Sequence, residues 1–396
     1  MISAQFLLTS ALLTLALPTF STPLSKPSVR ATCDYTVDIS NPLLPFLDYP
    51  AFRAAASDAV AALEEFSVTG RAPAKQGDAL TCDRIRVRKE WRQLTYDEKK
   101  AYIQAEKCLM KAPNYGLTAN ETFSLHDGLT GAHAQGFTRF HAGAKFLIFH
   151  RWFVWMHGNA LEKECNYTGP VPYWDYTLDS EKENPYDSPV FSTDPEIGFG
   201  DGGSVAINEL GGRAGGYIVE NGAFAGYRPN LPEPHYLVRN FTPDALYNPD
   251  NKYGVGLKNT YNKAARDRVL SATNFWDFET MIDGLDEPAF RSVHNSVHFM
   301  IGGDAQSFNW LEGTPWNGRE VFGANDPLFY LHHGNVDHVF WEWQNKAEFH
   351  QFDYSGREGA SDSFCDAVPT NNMGPDIPVA LALKTEWYPQ CYTYEY

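Results

Sequence analysis

Asn325-Asp-Pro-Leu-Phe-Tyr-Leu-His-His333-Gly-Asn-Val-Asp337 is the stretch from which this 396-residue chain is best read. Asp326 followed by Pro327 is an N-cap residue with proline at the first helical position, and it predicts a helix from Pro327 to about Lys346. Successive residues on a helix point about 100° apart, so only one of His332 and His333 can face a given centre. Asp337 lies one turn beyond His333. It reads equally as a carboxylate behind that imidazole or as a helix-surface acid paired to a Lys or Arg.

Working outward, the histidines form two groups, His133, His141 and His150, then His294, His298, His332 and His333. His294 and His298 are four apart and share a helical face within roughly 40°. His141 and His150 are nine apart, which on one helix would put them on opposite faces. A convergent trio therefore requires His141 to precede the helix that carries His150. An HxxxH unit alone is weak support for a metal site, and neutral imidazole suits copper, zinc, iron and nickel alike. His126 and His157 stand seven residues from His133 and His150, on the same faces, and periodicity leaves both open. A histidine on a half-buried helix is more often hydrogen-bonded than metal-bound. His235, His338 and His350 read as ordinary core or surface residues.

Further helices are expected over Thr81 to Lys111, Phe123 to Ala134, Lys145 to Glu164, Asn274 to Asp283 and His294 to Met300. Asn184 to Pro234 is rich in Gly, Pro, Asn and Asp and reads as surface loops. Val368 to Tyr396 reads as irregular or extended. Little of the chain alternates with strand period, so a mainly α protein with long loops and a few short strands is expected.

The chain is 43% hydrophobic and carries 32 basic against 49 acidic side chains, a formal charge of −17. That balance argues against nucleic acid or an anionic membrane as partner. Phe6 to Leu17 is apolar over the length of a signal-peptide core, too short to span a bilayer, with small residues Thr19 and Ser21 behind it. We expect a signal peptide over 1–21 and a single mature domain over 22–396, secreted from the cell. Sequons at Asn120, Asn166 and Asn240 agree with an extracellular glycoprotein. The six cysteines, Cys33, Cys82, Cys108, Cys165, Cys365 and Cys391, form no CxxC pair and read as up to three disulfides. Cys33 with Cys391 would tie the two mature ends together.

The segments around the histidines resemble the tyrosinase and catechol oxidase (polyphenol oxidase) family of type 3 copper proteins. They are His150-Arg-Trp-Phe-Val-Trp-Met, Pro172-Tyr-Trp-Asp175, His294-Asn-Ser-Val-His298 with Gly302-Gly303, and the opening stretch through Asp337. Asn221-Gly-Ala-Phe224 and Arg88-Lys-Glu-Trp91 extend the match over about residues 80–345, leaving about 350–396 as a C-terminal extension. The resemblance implies a four-helix bundle core holding two copper ions, CuA and CuB. It implies CuA on His133, His141 and His150, and CuB on His294, His298 and His333, with His332 a neighbour. Two copper ions a few ångström apart can share one dioxygen, and the substrates implied are small phenols.

The resemblance also implies a water held by Asn295, the residue after His294, and by an upstream acid that deprotonates monophenols. Glu287 is the leading acid, with Asp286 and Glu279 as alternatives. The cysteine that some fungal members crosslink to the second histidine is Arg139 here. Phe299, next to His298, is apolar where some tyrosinases carry Arg and is a candidate to narrow or orient the pocket, and Phe308, Trp310 and Trp316 in the following loop are candidates to wall the substrate entrance. The roughly 50 residues after the last bundle helix are too few for the lid domain of latent fungal enzymes, so a short, active form is expected. The function implied is oxidation of o-diphenols to o-quinones with O2, with monophenol hydroxylation as a further activity. A haemocyanin-like oxygen carrier is the alternative, and metal analysis separates both from a scaffold with relic histidines.

Overall fold

The computed structural model describes residues 44–73, 77–141, 143–182, 184–207, 216–241, 257–285, 292–306, 322–355 and 362–395. Several of its helices begin where local side chains satisfy the first free amides. In α1 (Tyr49–Thr69), Asp48 accepts from the Ala51 amide at 3.1 Å and Gly70 closes the far end at φ 65°. Capping boxes open α2 (Tyr96–Leu109), with Thr95 and Glu98, and α3 (Leu125–Phe140), with Ser124 and Asp127. α4 (Lys145–Cys165) ends on a left-handed Asn166. Then come α5 (Lys263–Val269), α6 (Phe275–Asp283), α7 (Asn295–Ile301), α8 (Gly303–Gln306), α9 (Leu328–Gln344) and α10 (Val379–Leu383).

The strands are two or three residues each: β1 (Arg86–Arg88), β2 (Ala206–Ile207), β3 (Gly216–Ile218), β4 (Val238–Arg239), β5 (Ala367–Val368), β6 (Ile377–Pro378) and β7 (Tyr392–Tyr394). β2–β3–β4 is antiparallel, as is the β5–β6 pair, whereas β1 and β7 run parallel. The mainly α expectation holds. No helix among the described residues is long and apolar enough to cross a membrane.

α4 and α9 form the axis of the core, and α4 also packs on α2 and α3. Every residue of α9 except Glu342 is buried. A helix buried all round must pair its polar groups internally. Asp337 does so through four partners: Arg151 Nε at 2.5 Å, Arg88 Nη1 at 3.2 Å, and the Tyr392 and Tyr394 hydroxyls at 2.5 Å each. It is therefore no surface acid. It joins α9 to the residue after His150 and to the β1–β7 pair.

The structure differs from the sequence reading in several places. The helix expected over 81–111 exists only from Tyr96. Arg86–Arg88 instead pairs with Tyr392–Tyr394, and Cys82 is bonded to Cys391. That bond corrects the expected Cys33–Cys391 link, and Cys33 lies outside the described residues. Cys108 bonds Cys165, and Cys365 is also disulfide-bonded. The expected 123–134 helix begins at Leu125 and continues to Phe140. α1 was not anticipated, and the tail contains α10 besides its strands. The signal peptide over 1–21 also lies outside the described residues.

Candidate metal centre

Both histidine groups converge, as two adjacent sets. Ligand-capable atoms lie within 4.8 Å of one another among His133, His141 and His150, and likewise among His294, His298, His332 and His333. His133 projects from the middle of α3 and His150 from α4. His141 is the residue that ends α3, before α4 begins, as convergence required. His294 precedes α7 and His298 lies on it, while His332 and His333 lie on α9.

Three of the histidines have their outer nitrogen anchored on a backbone carbonyl. His141 Nδ1 pairs with the Phe137 carbonyl at 3.0 Å, His150 Nδ1 with Phe146 O at 2.8 Å and His298 Nδ1 with Ala305 O at 2.9 Å. His294 Nδ1 instead faces Asp283 Oδ1 at 3.3 Å. Each contact favours the proton on Nδ1 and leaves a lone pair on Nε2. Yet His294 and His298 approach Nε2 to Nε2 at 3.1 Å, and His133 and His150 at 3.3 Å. In the His294–His298 pair, with Ala305 O at one Nδ1 and Asp283 at the other, the two Nε2 lone pairs oppose each other and repel unless a cation lies among them, so this donor set fits a metal. Burial, reinforced by neighbouring imidazoles, holds His141, His150, His294 and His333 well below the usual histidine range. Burial likewise lowers His298 to about 4. All are neutral imidazoles at physiological pH, the form that can bind a metal.

Proximity alone does not separate His332 from His333, since both belong to the second set. Orientation does. The His333 ring stacks on His150 of the first set at 4.2 Å, whereas His332 stacks on His294 at 5.5 Å and lies 5.5 Å from Tyr176. His333 is the histidine between the two sets. Phe329 backs the centre, 4.1 Å from His333 and 5.0 Å from His133.

The remaining histidines have other partners. His126 Nε2 meets Asn325 O at 3.2 Å, His157 lies 2.9 Å from Glu106, and His235 lies 2.9 Å from Asp304. His338 packs on Tyr173 and His350 on Trp343. Asn295 is half-buried and donates to the Asp283 carbonyl at 2.6 Å. Asp286 and Glu287 lie outside the described residues, as do Phe308, Trp310 and Trp316. Glu279 is fully buried without a hydrogen-bond partner, and burial beside Asp283 raises its carboxyl well above the usual range. Phe299 is buried. The acid whose carboxylate comes near His294 is Asp283, which the sequence reading passed over; Asn295 meets only its main-chain carbonyl. Its signal was its place at the end of the predicted 274–283 helix, one turn after Glu279.

Two adjacent clusters of imidazoles, one of three histidines and one of four, inside a helical core define a binuclear metalloprotein. The model for the common central domain of tyrosinase matches residues 118–346, more than half of the chain. The chain belongs to the tyrosinase family, type 3 copper proteins, and its cofactor is a copper pair. It is 29% identical over 337 residues to the tyrosinase-like protein phomQ1 of Diaporthe leptostromiformis, covering 79% of this chain and 78% of the relative. It is equally identical to tyrosinase ustQ of Aspergillus flavus over 330 residues, 79% and 80% of the two chains. It is 27% identical over 293 residues to the N-acetyl-6-hydroxytryptophan oxidase ivoB of Emericella nidulans, 65% and 74%. The fold matches a polyphenol oxidase mutant from Thermothelomyces thermophila with a TM-score of 0.62 at 23% identity, over 89% and 99% of the chains. The protein is an oxidoreductase.

Proposed function

We propose that this protein is a secreted polyphenol oxidase that converts o-diphenols to o-quinones with O2, and that it also hydroxylates monophenols. His133, His141 and His150 would hold one copper, and His294, His298 and His333 the other. The observation that carries the reading is the 4.2 Å stack of His150 on His333, which sets one trio against the other. Bound copper supplies O2 binding and an acceptor for the two electrons each diphenol gives up. Two diphenols and one O2 thus yield two quinones and two waters.

The protein's part is to fix the imidazoles, exclude bulk water and manage protons. His141, His298 and Asn295 are half-buried in an otherwise buried centre, so substrate would enter on their side. Asn295 is assigned the water that takes the proton from a monophenol. Glu287, the acid expected from sequence, lies outside the described residues. Relatives named for different oxidations, including that of an N-acetyl-6-hydroxytryptophan, support hydroxyindoles as a second substrate class to assay.

Secretion is supported by the apolar run Phe6–Leu17 and by exposure of Asn120, Asn166 and Asn240, each in a sequon. A leader over 1–21 and a mature domain over 22–396 follow from that reading. The deciding assay is oxygen uptake by copper-loaded protein with catechol and with a matched monophenol. Turnover of catechol supports the proposal. Reversible O2 binding with neither phenol consumed overturns it in favour of an oxygen carrier.

A further inference from the structure

We propose that Asn371, at the tip of the β5–β6 hairpin, is a positioning residue for the first histidine trio. The inference rests on the dicopper reading of the site. Asn371 is buried and sits at φ 50°, with Asn372 beside it at φ 70°. A buried non-glycine residue in the left-handed region is held there by its surroundings at some cost.

Those surroundings are the last two turns of α3. Asn371 Nδ2 donates to the Ala132 carbonyl at 2.9 Å, and its Oδ1 accepts from Arg139 Nη2. One amide thus spans a stretch whose first anchor precedes His133 and whose second lies two residues before His141. Room for it comes from Gly136. A Cβ there would lie 1.8 Å from Asn371 Nδ2 and 2.3 Å from the Phe140 ring. Glycine in a helix interior costs about 1 kcal/mol relative to alanine, so its presence here answers to packing.

The hairpin itself is braced. Thr370 N donates to Asp376 at 2.8 Å, the Met373 amide closes on Thr370 O at 3.1 Å, and the Met373 side chain is fully buried. Asn371 therefore reaches α3 from a fixed base.

His141 depends on that turn more than any other ligand. It is the residue that ends α3, and Phe137 holds it twice, through the carbonyl at Nδ1 and a ring stacked on its own at 3.9 Å and 28°. Displacing residues 136–140 displaces His141 with them. The second trio stands on α7 and α9, to which neither Asn371 bond runs.

The test uses copper-free full-length protein with Asn371→Gly, which keeps the left-handed backbone but removes the amide, and separately with Gly136→Ala. Each is made in a His298→Asn background, which leaves the first trio alone, and in a His141→Asn background, which leaves the second. Equilibrium copper titration and the rate of copper extraction by a chelator are measured for each. Both variants are expected to weaken the first site about 10–100-fold, the range for groups that orient metal ligands, and to leave the second site within twofold. The Gly136→Ala result discriminates further, because alanine alone should strengthen the helix. First-site affinity unchanged in both variants, or both sites weakened equally, overturns the proposal. Wild-type protein that takes up fewer than two copper ions overturns the reading beneath it, and the inference with it.

Discussion

Asp283 places a carboxylate oxygen 3.3 Å from Nδ1 of His294, where His141, His150 and His298 have backbone carbonyls. The second trio thus has an anion behind one ligand. Through its charge, a carboxylate there favours the proton on Nδ1 and raises the basicity of the metal-facing nitrogen. Asp283→Asn is expected to weaken copper at the second trio about 10–100-fold, with the first trio unaffected in a His298→Asn background. Equal copper affinity before and after the substitution would remove Asp283 from the account.

Asp337 leads to a stability prediction. It is buried between Arg151 and Arg88, with side-chain exposures of 2%, 0% and 4%. Removing one partner of a buried pair leaves an uncompensated charge and costs about 3–5 kcal/mol. Asp337→Asn should lose that much in urea unfolding of the copper-free protein. Tyr394→Phe, which removes one hydrogen bond to the carboxylate, should lose about 1.5–3 kcal/mol. A loss under 1 kcal/mol for Asp337→Asn would contradict the assignment of this carboxylate as the junction of α4, α9 and β1.

How much of this was legible in the sequence depends on the range of the determining contacts. Asp326 and Pro327 marked the start of α9, and the Asp326 side chain does accept from the Leu328 amide at 3.0 Å. The nine-residue spacing of His141 and His150 forced a break between α3 and α4 where one exists. α1 was readable and missed: Phe52, Ala55, Ala56, Ala59, Val60 and Leu63 recur at helical spacing behind an Asp48-Tyr-Pro start. β1 was not readable, because Arg86–Arg88 becomes a strand only by pairing with residues some 300 positions away. Asp283 was hidden for a related reason. Nothing local says that the end of α6 meets the start of α7, which is what brings this acid rather than Glu279 to His294.

The low affinity of the buried imidazoles for protons fixes a pH dependence. Burial first, then neighbouring imidazoles, holds His150, His294 and His333 well down, and burial lowers His298 to about 4. Unfolded histidines take protons near pH 6.5. Between those limits the unfolded chain binds more protons than the folded one, so stability rises with pH. Copper-free protein should keep its full stability above about pH 6.5 and lose it progressively as pH falls toward about 4. Copper, which binds the folded form, should delay that loss. Urea midpoints of the copper-free protein that stay flat from pH 7 to 4.5 would be inconsistent with neutral, buried imidazoles.

His332 and His333 separate by a simple substitution. His333 faces the first trio and His332 does not. His332→Gln should retain two copper ions per chain, whereas His333→Gln should retain one. The reverse pattern would reassign the ligand.

Copper per chain, measured on purified wild-type protein and on His141→Asn and His298→Asn, tests the two-trio centre most directly. The account predicts two ions in the wild type and one in each variant. A wild type with one ion or none, or variants that keep both, would contradict it.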